Sequence, residues 1–110
     1  MILEPVLNST NAERVLIYIS SRKEGYAREI ARFFNTDPYP IQKQLEKFEN
    51  GGVLVSRTAG RTRLYAFNPR YPLLSELKNL LEKALSFYPL EEIEKLTMSR
   101  KRPRRKGKIL

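Results

Sequence analysis

The segment from Tyr26 to Phe67 constrains the fold of this chain more than any other part of the sequence. Apolar residues recur at helical spacing over about 27–34 and again over about 38–50, with a short polar stretch between the two patterns. Gly51-Gly52 ends the second pattern, and two β-branched or aromatic stretches follow it, on either side of a turn that contains Gly60. The sequence therefore predicts two helices joined by a tight turn and followed by a β-hairpin.

The ends and the inner face of the second of these helices can be read from single residues. Asp37 followed by Pro38 predicts a helix start, because a side-chain acceptor suits the N-cap and a proline suits the first helical position. Asn35, in the turn before it, belongs to a residue type that tolerates a left-handed backbone. Three residues at i, i+4 and i+7 are expected to face the core, and these are Ile41, Leu45 and Phe48.

Further helices are predicted on both sides of this unit. Thr10 and Glu13 match a capping box at the start of a helix over about 11–22, in which each side chain bonds the backbone of the other residue. A leucine-rich pattern predicts a fourth helix from about Tyr71 to Phe87, and a shorter apolar pattern predicts one more helix after Pro89.

These elements divide the chain into three parts. We expect a domain over residues 1–88, a short helical extension over residues 89–98 and a basic, disordered tail over residues 99–110. The predicted fold class is mostly α with a small β-hairpin, an α+β architecture of three core helices and a leucine-rich C-terminal helix. No apolar run approaches the roughly 18 residues that a membrane span needs, and we expect a cytoplasmic protein.

The residue types that are absent exclude several kinds of chemistry. The chain has no Cys and no His, so disulfides, thiolate or imidazole catalysis and soft metal sites are excluded. Asp37 is the only Asp and is assigned to the helix cap, while Glu91, Glu92 and Glu94 are assigned to the first turn of an exposed helix. We therefore expect no enzymatic activity, no metal and no other cofactor.

The net charge of +9 is unevenly distributed. Residues 99–110 hold seven Lys or Arg and no acidic residue, whereas the other 98 residues hold fourteen basic and twelve acidic side chains, a net charge of +2. The tail can contribute affinity for a polyanion through counterion release, or it can be a solubilising end without a specific role. The tail residues predicted to make such contacts are Arg100, Lys101, Arg102, Arg104, Arg105 and Lys106.

With its helices and hairpin placed, the chain resembles a winged helix–turn–helix DNA-binding domain over roughly residues 8–86. It is similar to the small arsenic-repressor-like and multiple-antibiotic-resistance-like transcriptional regulators. The resemblance rests on Tyr26-Ala27-Arg28-Glu29-Ile30-Ala31-Arg32-Phe33-Phe34, Ile41-x-x-x-Leu45-x-x-Phe48-x-x-x-Gly52-Val53-Leu54, Arg61-x-Arg63-x-Tyr65 and Asn68-Pro69-Arg70-Tyr71-Pro72-Leu73. It implies the fold and a double-stranded DNA partner. The metal-sensing branch of the arsenic-repressor group uses Cys and His, which this chain lacks, so metal sensing is not implied.

The outer face of the third helix carries the residues expected to contact DNA bases. Gln42 can pair with adenine N6 and N7, and Lys43 can pair with guanine O6 and N7 or with a phosphate. Tyr39 can reach a phosphate, or a thymine methyl group with its ring. The alternative is an ordinary solvated helix face.

The hairpin and the second helix add candidate phosphate contacts. Arg61 at the hairpin tip can enter a narrow minor groove, and Arg57 and Arg63 can neutralise phosphates. Charged residues at the edge of a hairpin also block sheet aggregation, which is the alternative role for these arginines. Arg28 and Arg32, on the outer side of the second helix, are further phosphate candidates.

The leucine-rich fourth helix predicts a homodimer. Its apolar arc of about 140° exceeds the roughly 100° that a one-sided helix needs, which leaves residues for a two-fold contact. The residues assigned to this contact are Leu74, Leu81, Leu85 and Tyr88. The alternative is a helix that residues 90–98 of the same chain cover.

The sequence as a whole favours a DNA-binding transcriptional regulator that reads duplex DNA with its third helix and its hairpin. The alternative of a different class is a winged-helix protein-interaction module without specific DNA binding, because fold alone does not determine function. RNA binding through the basic tail is a third possibility, although the tail contains no aromatic residue for base stacking.

Overall fold

The computed structural model describes the backbone of residues 1–105 and the side chains of residues 1–97. The elements follow in the order α1 (Glu4–Leu7), α2 (Thr10–Arg22), α3 (Ala27–Phe33), α4 (Pro38–Asn50), β1 (Leu54–Ala59), β2 (Thr62–Phe67), α5 (Leu74–Leu85) and α6 (Leu90–Arg105). The predicted α+β class and the order of helix, helix, helix, hairpin and helix are confirmed. No helix in the described part of the chain is long and apolar enough to cross a membrane.

Helix α2 lies at the centre of the molecule and is buried along most of its length. Its residues Val15, Ile17 and Ile19 are completely buried. The side chains that pack around them from the other elements include Ile30, Ile41, Leu45, Leu54, Tyr65, Leu81 and Leu96. The predicted core positions Ile41 and Leu45 are confirmed, and Phe48 is half-buried against the same core.

The start of α2 differs from the predicted capping box. Ser9 is the N-cap residue, and its hydroxyl accepts the N–H of Ala12 at 3.0 Å. Glu13 is completely buried instead of reaching back to Thr10. One of its carboxylate oxygens accepts the backbone N–H of Leu3 at 2.9 Å, and the other accepts the hydroxyl of Tyr88 at 2.7 Å. The predicted capping box is therefore wrong. A buried carboxylate is stable only when it accepts hydrogen bonds, and the Glu13 carboxylate accepts them from Leu3 and Tyr88 instead of from the backbone of Thr10.

The turn between α3 and α4 follows the sequence prediction closely. Asn35 has a left-handed backbone with φ of 55°, and Thr36 N–H bonds the carbonyl of Ala31 at 2.9 Å to close the turn. Asp37 occupies the N-cap of α4 with an extended backbone, and Pro38 is the first helical residue. The side chain of Asp37 makes no capping hydrogen bond, so this part of its predicted role is not observed.

The hairpin β1–β2, called the wing below, forms backbone hydrogen bonds with the segment between α2 and α3. The strands pair antiparallel from Leu54 opposite Phe67 to Ala59 opposite Thr62, and Gly60 takes the left-handed conformation that the two-residue turn requires. Tyr65 also forms two backbone hydrogen bonds with Gly25, at 2.9 and 3.0 Å. Since Gly25 lies between α2 and α3, the wing is fixed to the turn that precedes α3.

Helices α5 and α6 both pack against α2, and the residues that this buries correct the predicted dimer contact. Leu81 is completely buried and Tyr88 is only 9% exposed, because both pack inside the core of their own chain. They are therefore not available for a second subunit, whereas Leu74 and Leu85 are half-buried. Arg22 fixes α6 in place by donating to the carbonyls of Leu96 and Lys95 at 2.8 and 3.2 Å.

Helix α6 continues to Arg105, beyond the predicted helix end at residue 98. The predicted tail contacts, at Arg100, Lys101, Arg102, Arg104, Arg105 and Lys106, lie outside the described side chains.

Candidate nucleic-acid interface

A basic groove lies between α3, α4 and the wing. It has a volume of about 600 Å³, and its lining consists of Tyr26, Ala27, Arg28, Arg32, Gln42, Arg61, Thr62 and Arg63. Four of these eight residues are arginines and none is acidic. The fold thus brings together five residues that the sequence assigned to DNA from three separate segments: Arg28 and Arg32 from α3, Gln42 from α4, and Arg61 and Arg63 from the wing.

The exposed face of α4 adjoins this groove. Tyr39 in its first turn is 66% exposed, and the ammonium group of Lys43 lies 5.7 Å from the centre of the Tyr39 ring. This distance is within the range of a cation–π contact, which holds the ammonium group near the start of the helix. The two side chains together present an aromatic ring and a positive charge to solvent.

Gln42 is half-buried at the floor of the groove and is held by two partners. Its amide nitrogen Nε2 lies 3.0 Å from the carboxylate of Glu46, one helical turn further along α4. The same nitrogen lies 3.2 Å from the hydroxyl oxygen of Tyr65, on β2. The orientation of the side chain is therefore set by the helix and by the wing.

The arginines of the wing differ in their surroundings. Arg61, beside Gly60 at the tip, is exposed and has no hydrogen bond or ion pair with any described residue. Arg63 donates to the Ser56 hydroxyl at 2.9 Å, and that hydroxyl in turn donates to the carboxylate of Glu49 on α4 at 2.6 Å. This chain of hydrogen bonds fixes the wing against the C-terminal half of α4.

Arg57 stands apart from the groove. Its guanidinium group forms an ion pair of 2.8 Å with Glu24, which precedes Gly25 in the turn between α2 and α3. Both side chains are largely exposed, at 61% and 44%. The charge of Arg57 is consequently compensated by a carboxylate, unlike that of Arg61.

Sequence reasoning missed the four partner residues Glu24, Glu49, Ser56 and Tyr65. Ser56 and Glu49 lie close in sequence, but nothing in the pattern of α4 indicates that Glu49 turns toward the wing. The contacts from Arg57 to Glu24 and from Gln42 to Tyr65 join residues that lie 33 and 23 positions apart. Only the three-dimensional placement of the wing brings these pairs together.

Two solved structures share the fold of this chain. A mutant of Lactococcus lactis ZitR in its apo form superposes with a TM-score of 0.54 at 22% sequence identity, over 93% of this chain and 80% of that chain. The adhesin competence repressor AdcR from Streptococcus pyogenes superposes with a TM-score of 0.52 at 14% identity, over 84% of this chain and 81% of that chain. No family model matches the sequence, and no curated protein matches it significantly. The likeness, taken with the element order, establishes the fold as a winged helix–turn–helix.

Proposed function

We propose that this protein is a transcriptional regulator that binds double-stranded DNA with α4 and the wing. The observation that carries the proposal is the basic groove, in which four arginines from α3 and the wing lie around Gln42 of α4 without an acidic residue in the lining. Phosphate contacts supply most of the affinity of a DNA-binding protein, and a helix beside such contacts can read base edges. The name of AdcR, a repressor with the same fold, supports a regulatory role.

In the proposed complex, each part of the surface has its own role. The exposed face of α4, with Tyr39, Gln42 and Lys43, enters the major groove, which is wide enough for a helix. Arg28 and Arg32 on α3 neutralise phosphates beside that groove. Arg61, at the tip of the wing and without a partner among the described residues, is the candidate for the adjacent minor groove.

A binding titration with matched variants tests this proposal. Anisotropy of a labelled random duplex, measured at about 50 and 200 mM salt, should show binding that weakens as salt rises. Arg61→Ala and Lys43→Ala should each weaken binding, because each removes a positive charge from the proposed surface. Lys78→Ala, which removes an exposed charge from α5, is the control and should leave binding nearly unchanged. Absence of any binding at low salt would favour the protein-interaction module instead.

We also propose that the protein is a homodimer, through an apolar stripe that runs along α5 and the residues at its two ends and differs from the predicted one. The stripe consists of Leu73 just before α5, Leu80 within it and Phe87 just after it. These residues recur every seventh position and are 56%, 44% and 63% exposed. Two antiparallel copies of α5 that cross at Leu80 would place Leu73 against Phe87 of the partner subunit. The same crossing would bring Glu76 near Lys83 of the partner subunit, so the flanking charges favour this arrangement.

The oligomeric state of two variants tests this dimer. Leu80→Glu should give a monomer in sedimentation at tens of micromolar protein, because it places two carboxylates at the centre of the contact. Val6→Glu changes a residue of α1 that is 74% exposed and should leave the dimer intact. A dimer in both variants would contradict the proposed contact.

We propose, finally, that the basic residues of the tail add affinity without adding base preference. Deletion of residues 99–110 should then flatten the dependence of log affinity on log salt, by about 0.9 for each lost phosphate contact. An unchanged slope would show that the tail does not touch DNA.

A further inference from the structure

The amide group of Gln42 has its two N–H bonds engaged within the protein. Its nitrogen lies 3.0 Å from the Glu46 carboxylate and 3.2 Å from the Tyr65 hydroxyl oxygen. A side-chain amide nitrogen carries two hydrogens, and the two contacts use both of them. The carbonyl oxygen of Gln42 forms no hydrogen bond with any described residue, so it is the part of the amide that can accept one from a ligand.

The orientation of this amide follows from the chemistry of its partner. An ionised carboxylate accepts hydrogen bonds and cannot donate one, so the nitrogen of Gln42, and not its oxygen, must face Glu46. A hydrogen bond to a charged acceptor is also stronger than one between neutral groups. The amide is therefore not free to turn its N–H groups toward DNA without losing this contact.

The second partner is held rigidly by the core. The side chain of Tyr65 is only 1% exposed, and its backbone forms the double hydrogen bond with Gly25. Tyr65 thus has a fixed position relative to both the wing and the helix–turn–helix. Its hydroxyl group defines where the Gln42 amide lies in the groove.

We propose that Gln42 reads DNA as a hydrogen-bond acceptor only, and that Tyr65 and Glu46 are the positioning residues that impose this. The inference rests on the proposed DNA-binding function. In the major groove, adenine and cytosine present an exocyclic amino donor, whereas guanine and thymine present acceptors at the equivalent place. Gln42 should therefore distinguish amino from keto bases on the strand that it contacts. A free glutamine would instead bond both N6 and N7 of adenine.

The first experiment finds the base pair that Gln42 reads. The full chain and the variant Gln42→Ala are each used to select bound duplexes from a randomised pool, and the selected sequences are compared. One position should lose its preference in the variant, and at this position the unmodified protein should have accepted both adenine and cytosine on the same strand and excluded guanine and thymine there. Acceptance of guanine or thymine on that strand, rejection of cytosine where adenine is accepted, or no position affected by the variant would overturn the inference.

The second experiment distinguishes two ways in which Gln42 can contact adenine. In the first, Gln42 only accepts a hydrogen bond from the N6 amino group; in the second, it also donates one to N7. Adenine at that position is replaced with 7-deazaadenine, which keeps the N6 amino group and lacks the N7 acceptor. The unmodified protein should bind the two duplexes with less than about a twofold difference. Tyr65→Phe releases one N–H of Gln42, so this variant should bind the 7-deaza duplex roughly three- to tenfold more weakly than the adenine duplex.

Two further variants complete the design. Glu46→Ala releases the other N–H of Gln42. Because Glu46 is exposed, this variant should fold even if Tyr65→Phe is too unstable to use, and it should show the same sensitivity to 7-deazaadenine. Tyr71→Phe removes a tyrosine hydroxyl away from the groove and should behave as the unmodified protein does. For each variant the result is the ratio of its affinities for the adenine duplex and the 7-deazaadenine duplex. A change of charge that alters the affinity for both duplexes equally cancels in this ratio.

The outcomes separate this inference from the function on which it rests. Binding without sensitivity to 7-deazaadenine in either Tyr65→Phe or Glu46→Ala would overturn the acceptor-only reading and leave the proposed function standing. A severalfold loss in the unmodified protein would do the same, because it would show that Gln42 already donates to N7. Absence of duplex binding by the unmodified protein would overturn both.

Discussion

The ion pair between Arg57 and Glu24 predicts that loss of a negative charge strengthens DNA binding. The two groups lie 2.8 Å apart and are 61% and 44% exposed. An exposed pair of this kind contributes only about 0.2–1 kcal/mol to folding, so the variant Glu24→Gln should fold normally. It frees the guanidinium group of Arg57 for a phosphate of the bound duplex.

The magnitude of this effect follows from counterion release. Each additional phosphate contact steepens the dependence of log affinity on log salt by about 0.9. Between about 50 and 200 mM salt, a fourfold change, the affinity advantage of Glu24→Gln should therefore shrink by about 3.5-fold for each bound chain. For a dimer with two freed arginines the same advantage should shrink by about twelvefold.

Salt titrations with four variants measure this slope. Anisotropy with one duplex is recorded for the unmodified protein, Glu24→Gln, Arg57→Ala and the double variant. Glu82→Gln, on the exposed side of α5, makes the same charge change without an arginine partner and serves as the control. The reasoning would be refuted if Glu24→Gln and the unmodified protein gave equal slopes, or if the control steepened the slope as much. It would also fail if the effect of Glu24→Gln persisted after Arg57→Ala.

Three other predictions concern the buried groups that hold the domain together. Tyr88→Phe removes one of two donors to the buried Glu13 carboxylate and should lower the free energy of unfolding by about 1.5–3 kcal/mol in urea titrations; a loss below about 0.5 kcal/mol would contradict this role. Burial raises the pKa of Tyr18 from 10.0 to about 12, so the unfolded state loses its proton first and stability should fall from pH 10 to pH 12. Tyr18→Phe should reduce that slope by about 1.4 kcal/mol per pH unit, as measured by denaturation at several pH values. Gly25→Ala places a methyl carbon 2.9 Å from the Tyr18 ring and should cost about 1–3 kcal/mol in the same urea assay, whereas an unchanged stability would show that the ring can move aside.

The fold could be predicted from the sequence where local signals mark an element. Asp37-Pro38 and the Gly51-Gly52 pair delimit α4, and the β-branched or aromatic stretches on either side of the turn at Gly60 indicate the wing. Helix α1 could not be predicted, because it has only four residues and no periodic pattern. A short helix of this kind depends on packing against the rest of the chain and not on its own propensity.

The sequence could predict which residues belong to the candidate site, but not which other residues they contact. The arginines of α3 and the wing are visible in the sequence, but the sequence does not indicate that Glu24 compensates Arg57 and not Arg61. The assignment of Leu81 and Tyr88 to a dimer contact failed for a related reason. A helical wheel gives the width of an apolar face, whereas the share of that face that is buried within the chain depends on how α5 packs against α2.

The two backbone hydrogen bonds between Gly25 and Tyr65 give the wing a reporter in hydrogen–deuterium exchange. Each amide proton points from one element to the carbonyl of the other, so it is released only when the wing separates from the turn before α3. Such a local opening has its own free energy, which can lie far below that of global unfolding. Exchange at Gly25 and Tyr65 therefore reports the attachment of the wing separately from the stability of the helical core. Bound DNA that contacts the wing should slow the exchange of both amide protons.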